Sequence, residues 1–154
     1  MKEAIGNTFI LNLVITFVFI FIMFFAGSIS YTKAFKVKNK IIEILERNET
    51  IVNGDLGTNQ INSPILLSII ETDINANLKE IGYRISSKTT CSTRGGAVVS
   101  KSTSSNYRYC ITRHVTSRGA YYGVTTYMYF EIPIIGISVE FPIFGETKIM
   151  GVIG

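Results

Sequence analysis

From Phe9 to Phe25 the chain reads FILNLVITFVFIFIMFF, without a single charge. Extended to Ile5 and Ile29, this run is long enough to cross a bilayer as a helix, which takes roughly 20 residues. After Ser30 the pattern turns mixed. Tyr31, Phe35, Ile41, Ile42 and Leu45 recur mostly at helical spacing, while Lys33, Lys36 and Lys40 take another face. That predicts an amphipathic continuation to about Arg47. Asn48 to Asn62 reads as a loop, with Asn53-Gly54-Asp55 and Gly57-Thr58-Asn59 as turn signals. A second helix is punctuated at both ends: Ser63 can cap it, Pro64 suits its first position and Gly82 can end it. Leu66, Leu67, Ile70, Ile74, Leu78 and Ile81 form its apolar stripe, with Glu71, Asp73, Lys79 and Glu80 facing away.

From Tyr83 the period changes to two. Tyr107 to Val115 and Gly123 to Ile132 are strand candidates, and Tyr83 to Ser87 a weaker one. Tyr122, Val124, Thr126, Met128, Phe130 and Ile132 share one face of the long candidate, and Tyr121, Thr125, Tyr127, Tyr129 and Glu131 the other. Pro133 to Gly136 can turn the chain into an alternating segment over Ile137 to Ile143, and Thr147 to Ile153 follows as a last short strand. Short connections between consecutive strands imply an antiparallel sheet. Helices followed by strands imply an α+β fold, with the helices on one face. The expected organisation is a transmembrane anchor over 1–30, an amphipathic extension over 31–47 and an α+β domain over 48–154.

The rival to an anchor is a cleaved signal peptide, with Ala26-Gly27-Ser28 as the cleavage site. Its apolar core is usually about 7–15 residues behind a basic stretch. Here the run is longer, and the preceding Lys2 is offset by Glu3. Orientation has two opposed signals. Lys33, Lys36, Lys38 and Lys40 follow the span, which by the positive-inside rule places the domain in the cytoplasm. Cys91 and Cys110 bracket a stretch rich in Ser, Thr and Gly; a disulfide between them needs an oxidising compartment outside. We favour the outside, as a single-pass protein of the cell membrane with an extracellular domain.

Catalytic chemistry has little to stand on. The one histidine, His114, lies in a strand-like run with no second histidine for a metal site. Gly95-Gly96 is followed by no Gly-Lys-Ser/Thr, so it is not a phosphate loop. Glu131, Glu140 and Glu146 read as surface carboxylates of a sheet. The expectation is a protein that is not an enzyme and takes no cofactor and no metal.

Two other patterns carry more. Thr8, Asn12 and Thr16 fall at i, i+4 and i+8, a polar stripe on an apolar helix, with Gly6 and Gly27 as points of close approach. Polar and small residues in lipid mark helix–helix contacts; the alternative is that the Thr hydroxyls bond back to their own helix. Secondly, no Asp or Glu occurs between Ile81 and Phe130, whereas Arg84, Lys88, Arg94, Lys101, Arg108, Arg113 and Arg118 do. Such a segment draws polyanions: nucleic acid, anionic lipid or an anionic surface polymer. The bland alternative is a solvated face balanced by the three glutamates.

Glu3-Ala4-Ile5-Gly6, the span to Ser30, the segment Tyr31 to Lys38, and the end Phe130-Glu131-Ile132-Pro133 with Phe144-Gly145-Glu146-Thr147 resemble a pilin or pseudopilin. More narrowly they are similar to the TadE-like minor pilins of bacterial tight-adherence (Flp-type) pilus systems and their Gram-positive relatives. The resemblance implies a long helix, first membrane-bound and then amphipathic, beside an antiparallel sheet. It also implies a structural role in pilus or secretion assembly, with the lipid membrane, other pilin-like subunits, and a homo-oligomer or fibre as partners. A prepilin carries a Glu at its fifth mature position; cleavage at Gly6 would put Leu11 there, so a non-cleaved assembly subunit is expected. The second reading is an anchored exported domain that binds an anionic polymer or DNA through residues 81–130.

Overall fold

The structure, a computed structural model, describes residues 2–48, 64–83, 91, 94–101, 109–132 and 136–150. The apolar run and its amphipathic continuation form one helix, α1 (Lys2–Arg47), of 46 residues. At 1.5 Å per residue it is about 69 Å long. Its apolar part is mostly Phe, Ile and Val, of modest helix propensity, but it is free of proline, and a helix satisfies its own backbone, as a bilayer demands. Side chains from Phe9 to Phe25 are almost all exposed. This helix is long and apolar enough to span a membrane, consistent with single-pass anchoring.

The second half of α1 lies in the core. Ala34, Val37, Ile41, Ile44 and Leu45 are buried, a stripe at i, i+3, i+7, i+10 and i+11 that faces the sheet. The sequence places Tyr31 and Phe35 on that stripe, but both are exposed, at 51 % and 39 %. The docked face is instead the one bearing small Ala34, because helix and sheet meet closely there: Thr126 Oγ1 donates to the Ala34 carbonyl over 3.0 Å. At its end Asn48 closes the helix, its backbone N 3.1 Å and its Nδ2 2.8 Å from the Ile44 carbonyl.

Helix α2 (Pro64–Ile81) packs on α1 through buried Ile74 and Leu78. Arg47 pairs with Asp73 at 3.2 Å near one end, and Lys33 Nζ reaches the Gly82 carbonyl at 3.4 Å near the other, so the two helices run antiparallel. The ion pair is half exposed and contributes at most about 1 kcal/mol. Gly82, at φ +63°, ends the helix in the left-handed conformation that glycine adopts without strain. Ser63 and the loop before it lie outside the described residues.

Four strands form an antiparallel meander: β1 (Ala97–Lys101), β2 (Tyr109–Thr116), β3 (Gly119–Ile132) and β4 (Ile137–Glu146), in that order. Strand β1 is additional to those read from sequence, and the β1–β2 register shifts between Val98 and Ser100. Of the weak candidate at 83–87, Tyr83 is irregular and the rest lies outside the described residues. The expected last strand is reduced, within the described residues, to one bridge between Ala120 and Met150. Ser117-Arg118 makes a two-residue hairpin turn between β2 and β3, since Thr116 pairs with Gly119. Tyr109, Ile111, Tyr122, Val124 and Met150 join Ile41, Ile44 and Leu78 in one core between sheet and helices. Gly145 lies beneath α1; a Cβ there would stand 2.7 Å from Lys38 Cδ and 2.9 Å from Ile42 Cδ1.

Candidate functional site

Helix α1 and strand β3 run in opposite directions, tied at two points a helical turn apart. Thr126 holds the Ala34 carbonyl, and the Ser30 hydroxyl donates to the Tyr129 carbonyl. Strand β3 outruns β2, whose described part begins at Tyr109 opposite Thr126. The backbone of Tyr127 therefore needs another partner, and the Tyr83 hydroxyl supplies it. It donates to the Tyr127 carbonyl at 2.6 Å and accepts from the Tyr127 N–H at 2.7 Å. Tyr127 pairs on its other side with Pro142 of the edge strand β4, where a residue without an N–H is tolerated. Tyr83→Phe removes both of these buried hydrogen bonds and is expected to cost about 2–3 kcal/mol. The urea midpoint of the full chain in detergent micelles measures this; a loss below about 0.5 kcal/mol would contradict the assignment.

The outer face of the sheet is stapled by a disulfide. Cys91 and Cys110 are bonded, with Cα atoms 5.8 Å apart. Cys110 is fully buried, with its Sγ 3.9 Å from the Tyr127 hydroxyl. Arg94, at φ +41°, and Gly95, at φ +84°, turn the chain over the same face. Gly96 lets this turn lie flat, since a Cβ there would meet the His114 ring at 2.7 Å and the Arg113 carbonyl at 2.8 Å. Arg94 lies 3.4 Å above the Phe144 ring. His114 stacks on Tyr121 with centroids 4.8 Å apart, and its Nε2 is 3.2 Å from Thr112 Oγ1. The cleft among these side chains holds about 210 Å³, below the roughly 300 Å³ at which small-molecule sites begin. Among the described residues no group of three His, Cys, Asp or Glu is placed to hold a metal ion.

The seven basic residues do not converge where they are described. Arg94 lies on the outer face. Arg113 pairs across strands with Tyr122 and so lies on the helix side. Arg118 is exposed in the β2–β3 turn at the far end of the sheet. For Lys101 only the backbone is described, and Arg84, Lys88 and Arg108 lie outside the described residues. Arg113 also has an inward role: burial pushes the Tyr122 phenol above its ordinary pKa, and the nearby guanidinium partly offsets that.

In the apolar half of α1, Phe9, Asn12, Leu13, Thr16, Phe17 and Ile20 line one shallow groove. Thr16 bonds back to the Asn12 carbonyl at 2.8 Å, which takes up its hydroxyl within the helix. Thr8, also exposed, continues the stripe by one turn. The Asn12 amide group is exposed on a face of apolar side chains. Gly27 lies eleven residues beyond Thr16, on nearly the same face, with nothing within 4 Å of where its Cβ would be.

Spacing made the cysteine pair and the polar stripe visible in the sequence. Tyr83, Ser30 and Thr126 were missed; their only sequence signal is a hydroxyl beside an apolar position, which many residues share. The fold and these features define a class, an α+β domain carried on a continuous helix with a bare apolar half. Compared with known protein families, curated proteins and solved structures, the chain matches none.

Proposed function

We propose that this chain is a single-pass, membrane-anchored, pilin-like subunit of a pilus or secretion assembly, structural and not catalytic, with its domain outside the cell. The observation that carries this reading is the division of α1. Its first half offers a bare apolar surface and its second half is built into the core of the domain. Because no proline interrupts the helix, lateral packing of the first half in the bilayer sets the position of the sheet directly. Asn12 and Gly27 supply a polar and a small residue of the kind by which membrane helices associate. The Cys91–Cys110 disulfide supports the outside location, since such bonds persist in oxidising compartments.

Truncation after Asn48 keeps the anchor and removes the sheet; it is expected to abolish fibres counted by electron microscopy. Neutralising Arg94, Lys101 and Arg108 together is expected to leave them intact. Normal fibres after truncation would refute the assembly role. Loss of surface attachment in the triple variant, with attachment of the wild type steeply weakened by salt, would instead establish polyanion binding.

A further inference from the structure

We infer that the membrane-proximal end of the sheet is a second, interfacial membrane contact: the start of β4, with Ile137 and Phe141, rests on the lipid surface beside the emerging helix. The inference starts from level. Between the two ties of α1 to β3, four helix residues (Ser30 to Ala34) correspond to three strand residues (Tyr129 to Thr126), in opposite directions. Ile132 lies three residues past Tyr129, one further helical turn by the same proportion. That places it level with Ala26, against the end of the charge-free run. Ile137 pairs directly with Ile132 and shares that level, while Phe141 pairs with Met128, close to the level of Tyr31 and Thr32.

These residues are bare where a soluble sheet would be covered. Ile137 is 51 % and Phe141 54 % exposed, and Tyr31, at the same height on the helix, is exposed too. The reason is the path of α1. It meets β3 at Thr126 and lies over β4 only further on, at Gly145, so among the described residues no helix lies above the first half of β4. The chemistry of the region is graded as a bilayer surface is. Ile137 lies lowest, level with the hydrocarbon edge. Exposed Tyr31 and half-buried Tyr129 lie beside Ser30 at headgroup height, where amphipathic rings concentrate. Exposed Lys33 and Lys36 stand a turn or so higher, placed for anionic headgroups. An apolar surface continuous with a membrane-spanning segment, with Lys33 and Lys36 a turn above it on the α2 side of the helix, fits an anionic lipid surface.

A contact of this kind fixes the tilt and rotation of the domain on the bilayer, which one helix alone leaves free. It rests on the membrane-spanning helix of the reading above, not on the assembly role.

The chain contains no tryptophan, so single tryptophans report cleanly. Four full-length variants, Ile137→Trp, Phe141→Trp, Phe24→Trp and Val115→Trp, would be reconstituted in vesicles of phosphatidylcholine and phosphatidylglycerol with and without brominated acyl chains. Val115 is 72 % exposed beside the β2–β3 turn, at the far end of the sheet. Bromolipid is expected to reduce the emission of the Ile137→Trp and Phe141→Trp variants by about half, and to leave the Val115→Trp variant unchanged. Unquenched emission at 137 and 141 with strong quenching at 24 would overturn the inference. So would a blue shift at 137 that grows with protein concentration without quenching, which would give the face to a second copy. Absence of quenching at 24 would overturn the anchored reading along with it, so the two failures are distinguishable.

Discussion

Reducing the Cys91–Cys110 bond is expected to lower the stability of the domain by about 3 kcal/mol in the chain-entropy description, because the bond closes a loop with a sequence separation of 19 residues. The loop contains β1, an edge strand whose residues offer little apolar surface to hold it. Opening it frees a stretch of Ser, Thr and Gly whose unfolded states are numerous. Comparing urea midpoints of the oxidised and reduced full chain in micelles isolates the cross-link, since no side chain is removed. The double variant Cys91→Ala, Cys110→Ala should lose about 1 kcal/mol more, because Cys110 is fully buried and its replacement leaves a gap beside Tyr127. Midpoints that coincide on reduction would mean that packing alone holds β1 in place.

The long strand was legible from Gly123 to Ile132 because its alternation runs unbroken there, with aromatic and β-branched residues on both faces, whereas its start at Gly119 was not read. Strand β1 was not legible, since only Ala97-Val98-Val99 is apolar in a polar stretch, too short a run to show an alternation. The helix stripe was legible in period but misplaced in phase. Hydrophobicity ranks Tyr31 and Phe35 above Ala34, yet a helix held within hydrogen-bonding distance of a strand needs its smallest residue at the contact. The large aromatics are left at the exposed margin. The disulfide showed in the sequence because there are only two cysteines and one way to join them. The capping of β3 by Tyr83 and Ser30 did not, because it depends on β3 outrunning β2, a property of the pairing and not of either segment.

The phase of that stripe has a direct energetic consequence. Ile41 is fully buried in the core shared by α1, α2 and the sheet, and Ile41→Ala removes apolar atoms that neighbours on three elements cannot all move to replace. A loss of about 4 kcal/mol is expected, within the range for such truncations in well-packed cores. Phe35 is the larger side chain, but it is partly exposed and its ring lies 4.0 Å from the Lys38 ammonium. Phe35→Ala should therefore cost less than about 1 kcal/mol in micelles. A docked face centred on the aromatics would reverse the order. Urea titration of the two full-length variants, with the slope checked for constancy, decides between the phases. Because the helix that carries Ile41 is the one long and apolar enough to span a membrane, the first variant should also release the sheet from the anchor of the proposed reading without removing that anchor from the bilayer. Protease would then cut the domain from vesicles while leaving the first half of α1 protected. Equal protease resistance in both variants would mean that the sheet holds its shape without the helix.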